Sequence, residues 1–230
     1  MGTAQRYLDV KAELERECAR AGRDARSVRL IAVSKTVGPD QVAKAASAGA
    51  RDFGENRPDE LVRKAAALPD ARWHFIGNIQ SRRIRDIVAH ATLIHSLFQE
   101  EHARKIDAAA ARLGRVQDVL LEVNVSGERS KGGVAPDRAR ELLEACIGLP
   151  HVRVRGLMTM APQGDLRVAR EVFDGLARLH AELRCGLDAD RAASFDGLSM
   201  GMSEDWREAV AAGATMIRIG RAVFSEGFEA

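Results

Sequence analysis

Eight short apolar segments recur along the chain, and a stretch long enough to form a helix lies between most neighbours. The segments cover residues 29 to 36, 51 to 56, 73 to 79, 93 to 97, 118 to 125, 152 to 160, 197 to 202 and 216 to 224. Strands separated by helices pair in parallel, because a long crossover returns the chain to the same edge of the sheet. The alternation therefore predicts an α/β fold with a parallel sheet.

The connecting stretches have the composition of amphipathic helices. Examples such as EEHARKIDAAAARLG and VAREVFDGLARLHAELR combine alanine and leucine with apolar positions at helical spacing. Eight strand and helix units within about 200 residues fit the lower size range of a (β/α)8 TIM-type barrel. An open doubly wound sheet is the alternative, although no G-x-G-x-x-G motif follows the first segment to favour it.

A further helix pattern precedes the first strand segment. Leu8, Val10 and Leu14 stand among charged residues at roughly helical spacing. This end of the sequence contains no continuous apolar run of the kind that predicts a signal peptide or a membrane-spanning helix. We therefore expect a cytoplasmic protein with no membrane partner. No linker composition marks a boundary. We therefore expect one domain over residues 1–230, with a leading helix in residues 1–27 packed on the barrel.

Charge and cysteine content exclude several classes of function. The chain has 35 Lys and Arg against 33 Asp and Glu, so no strong field favours nucleic acid as a partner. Cys18, Cys146 and Cys185 are far apart and lack C-x-x-C spacing, which predicts reduced packing residues. The histidines show no metal-binding spacing either, and we predict no metal site.

Lys35 is the first candidate for chemistry. It follows the apolar run at residues 30 to 33, which predicts a position at the carboxyl end of the first strand, where barrel active sites form. A partly desolvated barrel mouth disfavours the ammonium form, so the neutral amine is available to condense with an aldehyde. The alternative is a lysine that merely extends to solvent where the strand ends.

The ends of the last two segments form the second candidate site. Ser199, Gly201 and Met202 end the seventh segment, and Gly220 and Arg221 follow the core of the eighth. Loops after the last two strands of barrels commonly bind phosphate, because small residues let backbone N–H groups approach the anion. The glycines are equally consistent with ordinary turns.

Arg218 lies two residues before Gly220, so both face the same way on a strand. An inward guanidinium there is suited to clamp an anion or to donate to a ring nitrogen. The alternative is an internal ion pair with a carboxylate such as Glu122.

Other polar or sulfur-containing residues lie near strand ends. Each of them alone is more typical of a packed strand than of a ligand-binding residue: Asn56, His74, Gln80, Asn124 and Met158. The loop at 127–133 (GERSKGG) is a candidate lid.

Taken together, these segments resemble the pyridoxal phosphate homeostasis proteins, single-domain relatives of the N-terminal barrel of alanine racemase. The resemblance spans nearly the whole chain, through IAVSKT with Lys35, FGEN (53–56), WHFIGNIQS (73–81), LLEVNVSGERSKGG (120–133), GLMTM (156–160) and LSMGMSEDWREAVAAGATMIRIG (198–220). Departures are Arg221, where many relatives have a small hydroxyl residue, and Arg82-Arg83, where an Asn-Lys pair is more usual.

The resemblance implies a site for pyridoxal 5'-phosphate (PLP), the vitamin B6 cofactor. Lys35 would form the Schiff base, and Arg218 would face the pyridine nitrogen. Ser199 and the backbone around Gly201, Gly220 and Arg221 would receive the phosphate. The remaining predicted cofactor contacts are Asn56, Met158 and Met202.

The resemblance also implies that the protein maintains intracellular PLP, by buffering or delivering it, and influences amino-acid and keto-acid pools without robust catalysis. A permanent cation at the ring nitrogen weakens the ring as an electron sink. Alanine racemase pairs its lysine with a tyrosine from a second domain, whereas the only tyrosine here, Tyr7, lies in the leading helix. The expected partners are PLP and, transiently, apo-PLP enzymes, and we expect a monomer.

Two alternatives remain. One is a PLP-dependent racemase or related enzyme of small amino acids, in which Lys35 acts alone or with a cysteine. The other is a barrel without cofactor, in which Lys35 has a structural role only.

Overall fold

A computed structural model describes residues 1–128 and 131–228. Eight parallel strands close into a barrel in the order of the sequence. They are β1 (Arg29–Val33), β2 (Asp52–Glu55), β3 (Arg72–Phe75), β4 (Leu93–Leu97), β5 (Gln117–Glu122), β6 (Val152–Met158), β7 (Gly197–Ser199) and β8 (Met216–Ile219). The predicted (β/α)8 barrel is confirmed, and the doubly wound alternative is wrong, because β1 pairs with both β2 and β8.

Helices surround the barrel on its outer side. In chain order they are α1 (Thr3–Arg20), α2 (Pro39–Ser47), α3 (Pro58–Ala67), α4 (Ile84–His90), α5 (Glu100–Arg112), α6 (Ala139–Ile147), α7 (Leu166–Cys185), α8 (Ala189–Ser194), α9 (Trp206–Ala211) and α10 (Arg221–Phe224). Within the described ranges, none of them is both long enough and apolar enough to cross a membrane.

The leading helix α1 begins earlier than the apolar spacing from Leu8 suggests. Its buried apolar side chains, Tyr7, Val10, Leu14 and Cys18, are three or four residues apart and so form one stripe. This stripe faces α2, α9 and α10. The helix therefore covers the side of the barrel where β8 and β1 meet.

Side chains alternate between the barrel interior and the layer beneath the helices, as the period of a strand requires. Phe53 and Trp73, on the outer face, pack with their rings 5.4 Å apart. The interior contains a compact apolar group formed by Ile31, Val33, Leu93, Leu120, Met158 and Met216. Polar side chains occupy much of the remaining interior.

Several predicted segments contain shorter strands than expected. The last segment, 216 to 224, ends as a strand at Ile219, and residues 221 to 224 form α10. Its first turn closes at once, since the N–H groups of Val223 and Phe224 both donate to the carbonyl of Gly220. Cys18 and Cys146 are buried, but Cys185 is exposed at the end of α7, so the packing role predicted for it is wrong.

Candidate functional site

A cavity of about 350 Å³ opens among the loops at the carboxyl ends of the strands. This volume lies within the roughly 300–1,000 Å³ usual for small-molecule sites. Seven of the nine predicted cofactor contacts line it: Lys35, Asn56, Met158, Met202, Arg218, Gly220 and Arg221. Ser199 and Gly201 do not belong to the lining.

Lys35 lies in the turn directly after β1, at the rim of the cavity. Its side chain is exposed, so the desolvated setting expected from the sequence is not found. The strand ends at Val33, and Ser34 already begins a turn closed by the N–H of Val37. Lys35 therefore lies at the rim of the cavity and not in the barrel interior.

A buried ion pair supports this turn from behind. Lys64 of α3 is 1% exposed and Glu55 of β2 is fully buried, and their charged groups lie 2.5 Å apart. Lys64 also donates to the Ser34 carbonyl at 2.8 Å, and the Ser34 hydroxyl donates to Glu55 at 2.8 Å. The N–H of Asn56 donates to the second oxygen of Glu55. The pair thus joins the turn before Lys35 to the turn that contains Asn56.

Arg218 reaches the cavity from inside the barrel and is 4% exposed. Its Nη1 donates to Ser199 Oγ at 2.6 Å and its Nη2 donates to the Thr159 carbonyl at 2.9 Å. Burial lowers the pKa of Arg218 to about 10, while Asp205 and Glu122 oppose that change. The guanidinium therefore remains a cation at neutral pH.

The predicted alternative for Arg218, an ion pair with Glu122, is not formed. In the part of the chain that the structure describes, no carboxylate lies within ion-pair distance of this guanidinium. Glu122 is 3% exposed, and burial raises its pKa although Arg218 acts in the opposite direction. Hydrogen bonds to neutral oxygens, not a salt bridge, thus position the arginine.

Ser199 and Gly201, two of the predicted cofactor contacts, lie outside the cavity lining and make contacts within the barrel wall. Ser199 is fully buried, and its hydroxyl is engaged with Arg218 and His95 inside the barrel. Gly201 has φ +91°, and a Cβ there would lie 2.6 Å from the Cβ of Ala209. Its backbone conformation and its close approach to α9 both require glycine.

Ser203 takes the place at the cavity that the sequence suggested for Ser199. It lines the cavity beside Gly220 and Arg221, and its hydroxyl accepts from the N–H of Ala222 at 3.4 Å. The carboxylate of Asp205 fixes the same loop by accepting from the N–H of Met202 at 2.6 Å. Sequence reasoning did not identify Ser203, although a small hydroxyl residue in the loop after β7 is the same signal that pointed to Ser199.

The side chain of Arg221 makes two contacts with neighbouring residues. Its guanidinium lies 2.8 Å from Glu204 and 5.1 Å from the centre of the Phe228 ring. Both members of the ion pair are about half exposed. The charge added by this departure from the family pattern is therefore paired with a carboxylate, and Arg221 is also one of the residues that line the cavity.

The other residues noted from the sequence have structural roles or lie at the surface. Asn124 organises the loop after β5, since its side chain accepts from Gly127 and donates to the Glu128 carbonyl. Arg83 pairs with Asp59 and Asp86 on the outer side. Within the proposed lid at 127–133, residues 129–130 lie outside the described residues. Elsewhere in the described ranges, no three His, Cys, Asp or Glu side chains group as a metal site would need.

Comparison with known proteins gives consistent matches over nearly the full length. The profile of the alanine racemase N-terminal domain matches residues 11–226. The pyridoxal phosphate homeostasis protein of Aquifex aeolicus is 39% identical over 228 residues, which cover 98% of this chain and 99% of that protein. The protein of the same name from Pseudomonas aeruginosa is 40% identical, with 96% and 94% covered. The solved structure of PipY from Synechococcus elongatus with PLP bound has 35% identity and a TM-score of 0.82, covering 97% and 100%.

Proposed function

The chain belongs to the pyridoxal phosphate homeostasis proteins of the alanine racemase N-terminal-domain family, and we propose that it binds PLP through Lys35 and buffers or delivers this cofactor. The observation that supports this best is the shared cavity of Lys35 and Arg218. Lys35 follows β1 and Arg218 lies on the neighbouring strand β8, so an amine and a guanidinium cation line one small space.

Each lining residue has a defined role in this proposal. Lys35 would hold the cofactor covalently, its amine in the unprotonated form condensing with the aldehyde carbon of PLP with release of one water. The Ser203 hydroxyl and the backbone at Gly220 and Arg221 would hold the phosphate, because Ser203 lines the cavity and Ser199 does not. PLP would supply an electron sink when bound, and Arg218, if it faces the ring nitrogen as the family resemblance implies, would oppose protonation of that nitrogen and so weaken the sink. Asn56, Met158 and Met202 complete the walls.

The lining also supports the absence of robust catalysis. Racemisation needs an acid/base group on each face of the substrate. The ionisable side chains among the described lining residues are Lys35 and two arginines, and a guanidinium stays protonated at neutral pH and so does not serve as a general base. Tyr7, in contrast, lines a hollow with Arg29 and Arg72 at the amino-terminal ends of the strands.

The experiment that tests the binding site is spectroscopic. Wild type mixed with PLP should develop visible Schiff-base absorption, and borohydride should trap the label on the peptide that contains Lys35. Lys35→Ala should lose both signals. Lys44→Ala, a matched change of an exposed lysine on α2, should retain them. Equal labelling of scattered lysines in wild type would contradict the proposal and favour a purely structural Lys35.

The second candidate function, a racemase of small amino acids, makes a different prediction. Wild type incubated with PLP and alanine or serine in heavy water would exchange the α-proton rapidly. The three cysteines lie in α1, α6 and α7 and do not line the cavity, so the lysine–cysteine version has no support from the geometry. Deuterium uptake at the α-carbon at an enzymatic rate would overturn the carrier function.

Transient apo-PLP enzyme partners, a cytoplasmic location and a monomeric state complete the proposal. Sedimentation of the purified protein should give a single species near 25.0 kDa. PLP-loaded protein mixed with an apoenzyme should restore the activity of that enzyme faster than a PLP solution without the protein, when both mixtures contain the same concentration of unbound PLP. An identical rate would argue for buffering alone.

A further inference from the structure

A continuous set of hydrogen bonds crosses the barrel interior from its amino-terminal end to the cavity. We call its five side chains the interior network: Asp52, His74, His95, Ser199 and Arg218. His74 Nε2 lies 3.0 Å from Asp52 Oδ1, and His74 Nδ1 lies 2.9 Å from His95 Nε2. His95 Nδ1 lies 2.9 Å from Ser199 Oγ, which accepts from Arg218 at 2.6 Å. All five side chains are at most 7% exposed.

The far end of the interior network is anchored by charge. Arg72 donates to both oxygens of Asp52, at 2.8 and 2.5 Å, and Arg29 lies 3.6 Å away. Burial raises the pKa of Asp52, but the hydrogen bonds from Arg72 and His74 outweigh it and lower the pKa to about 2. Asp52 is therefore a carboxylate at neutral pH and can only accept hydrogen bonds.

The carboxylate fixes the direction of every bond that follows. Burial lowers the pKa of both His74 and His95, so each ring is neutral and carries one proton. Since Asp52 accepts, His74 must be protonated at Nε2 and bare at Nδ1. His95 must then donate from Nε2 and accept at Nδ1 from the Ser199 hydroxyl. The Ser199 oxygen is left to accept from Arg218, so each link has one donor and one acceptor.

We propose, on the basis of the function proposed above, that the interior network is a positioning device that holds the Arg218 guanidinium toward the cofactor ring. A serine whose proton is committed to His95 offers Arg218 an oxygen only as an acceptor. This hydrogen bond restrains the Arg218 side chain to one rotamer. The other N–H groups of Arg218 are then available to the Thr159 carbonyl and to the cavity that the residue lines. His74, His95 and Asp52 act through Ser199 and do not line the cavity.

Energetics favour this role over simple filling of the interior. Burying these polar groups is costly unless each is paired, and apolar side chains would fill the same space without that cost. Bonds polarised in one direction strengthen one another in a medium of low dielectric constant. Asp205 and Glu122 supply long-range attraction for Arg218 but lie beyond ion-pair distance. The hydrogen bonds that Arg218 donates to Ser199 Oγ and to the Thr159 carbonyl are therefore the specific contacts that set its direction, and of the two acceptors only Ser199 belongs to the interior network.

The first test requires no cofactor, and it reads the intact network of the wild type; variants serve only to assign the signals. Long-range ¹H–¹⁵N spectra of wild type at neutral pH should show both rings protonated at Nε2 only, with assignments from His74→Gln and His95→Gln. A ring protonated at Nδ1, or a doubly protonated ring, would break the donor order and overturn the proposal.

The second test separates positioning from structural support. Ser199→Ala should speed hydrogen exchange of the Arg218 side chain at least tenfold, weaken PLP binding roughly tenfold, and shift the pH profile of the bound visible spectrum. The control Ser96→Ala removes an equally buried hydroxyl, which donates to the Gly77 carbonyl outside the network. It should leave the exchange rate and the pH profile unchanged.

Unchanged guanidinium exchange and an unchanged pH profile in Ser199→Ala would refute the positioning role. If wild type fails to bind PLP, the proposed function fails, but the tautomers and the exchange rate still decide whether the interior network positions Arg218. The two proposals are thus tested separately.

Discussion

Lys64→Met tests whether the buried ion pair behind the Lys35 turn holds the site together. Lys64 and Glu55 are almost completely buried, and methionine retains most of the apolar stem of the lysine. Removing one partner of a buried pair leaves an uncompensated charge and costs roughly 3–5 kcal/mol. For a chain of 230 residues, each kcal/mol lowers Tm by roughly 2–4 °C, so we expect a decrease of roughly 6–20 °C.

The assay is thermal and urea unfolding followed by circular dichroism, with PLP affinity measured well below the unfolding midpoint. Because Lys64 donates to the Ser34 carbonyl, the turn should loosen and the affinity should fall even in folded protein. The double variant Lys64→Met with Glu55→Gln should recover part of the lost stability, since it removes the unpaired charge. Lys105→Met breaks an exposed pair with Glu101 and should leave Tm almost unchanged.

Unfolding of Lys64→Met at the wild-type temperature would refute this role of the buried pair. A double variant less stable than Lys64→Met by the full cost of a second lost interaction would refute it as well. In either case the pair would be a passive contact and the turn would be held by other bonds.

Three further predictions follow from other parts of the barrel. Asp52→Asn should lower the free energy of unfolding by roughly 2 kcal/mol at neutral pH. Because the folded pKa of Asp52 is about 2, the stabilisation by this carboxylate is present above pH ~4 and is lost toward pH ~2. The acid unfolding curves of variant and wild type should therefore converge near that pH. Burial lowers the pKa of His95 well below its usual range, so the free energy of unfolding should fall as the pH drops below ~6.5. His95→Gln should show a shallower decline. Parallel plots of stability against pH for variant and wild type would contradict this. Gly201→Ala should lose at least ~2 kcal/mol in urea, more than Gly213→Ala, because both have positive φ but only the Cβ at 201 would crowd Ala209.

The barrel was predictable because its strands and helices are local patterns. Eight apolar segments with helical connections already imply parallel closure, and the strand ends identified Lys35, Arg218 and Gly220 as neighbours. Segment boundaries were less accurate, since α10 begins directly after Gly220, where an apolar run continues. Apolar composition alone does not distinguish a short strand followed by a helical turn from one longer strand.

The site was harder to predict where it depends on contacts between distant strands. Ser199 was assigned to the phosphate because it lies near a strand end, but its bonds to Arg218 and His95 become visible only when β4, β7 and β8 are placed together. Ser203 was missed for the same reason. A histidine within an otherwise apolar strand, such as His95, was a usable signal, because an imidazole buried there needs two partners.

The exposed position of Lys35 sets how firmly a cofactor can be retained. In the proposed function, the bond between its nitrogen and the aldehyde carbon lies at the rim of the cavity, where bulk water has direct access. Water is the reagent that reverses this condensation, so loading and unloading use the same open side and need no large opening of the barrel. The grip on the vitamer then depends on its non-covalent contacts. Such a site is suited to releasing the vitamer to another protein.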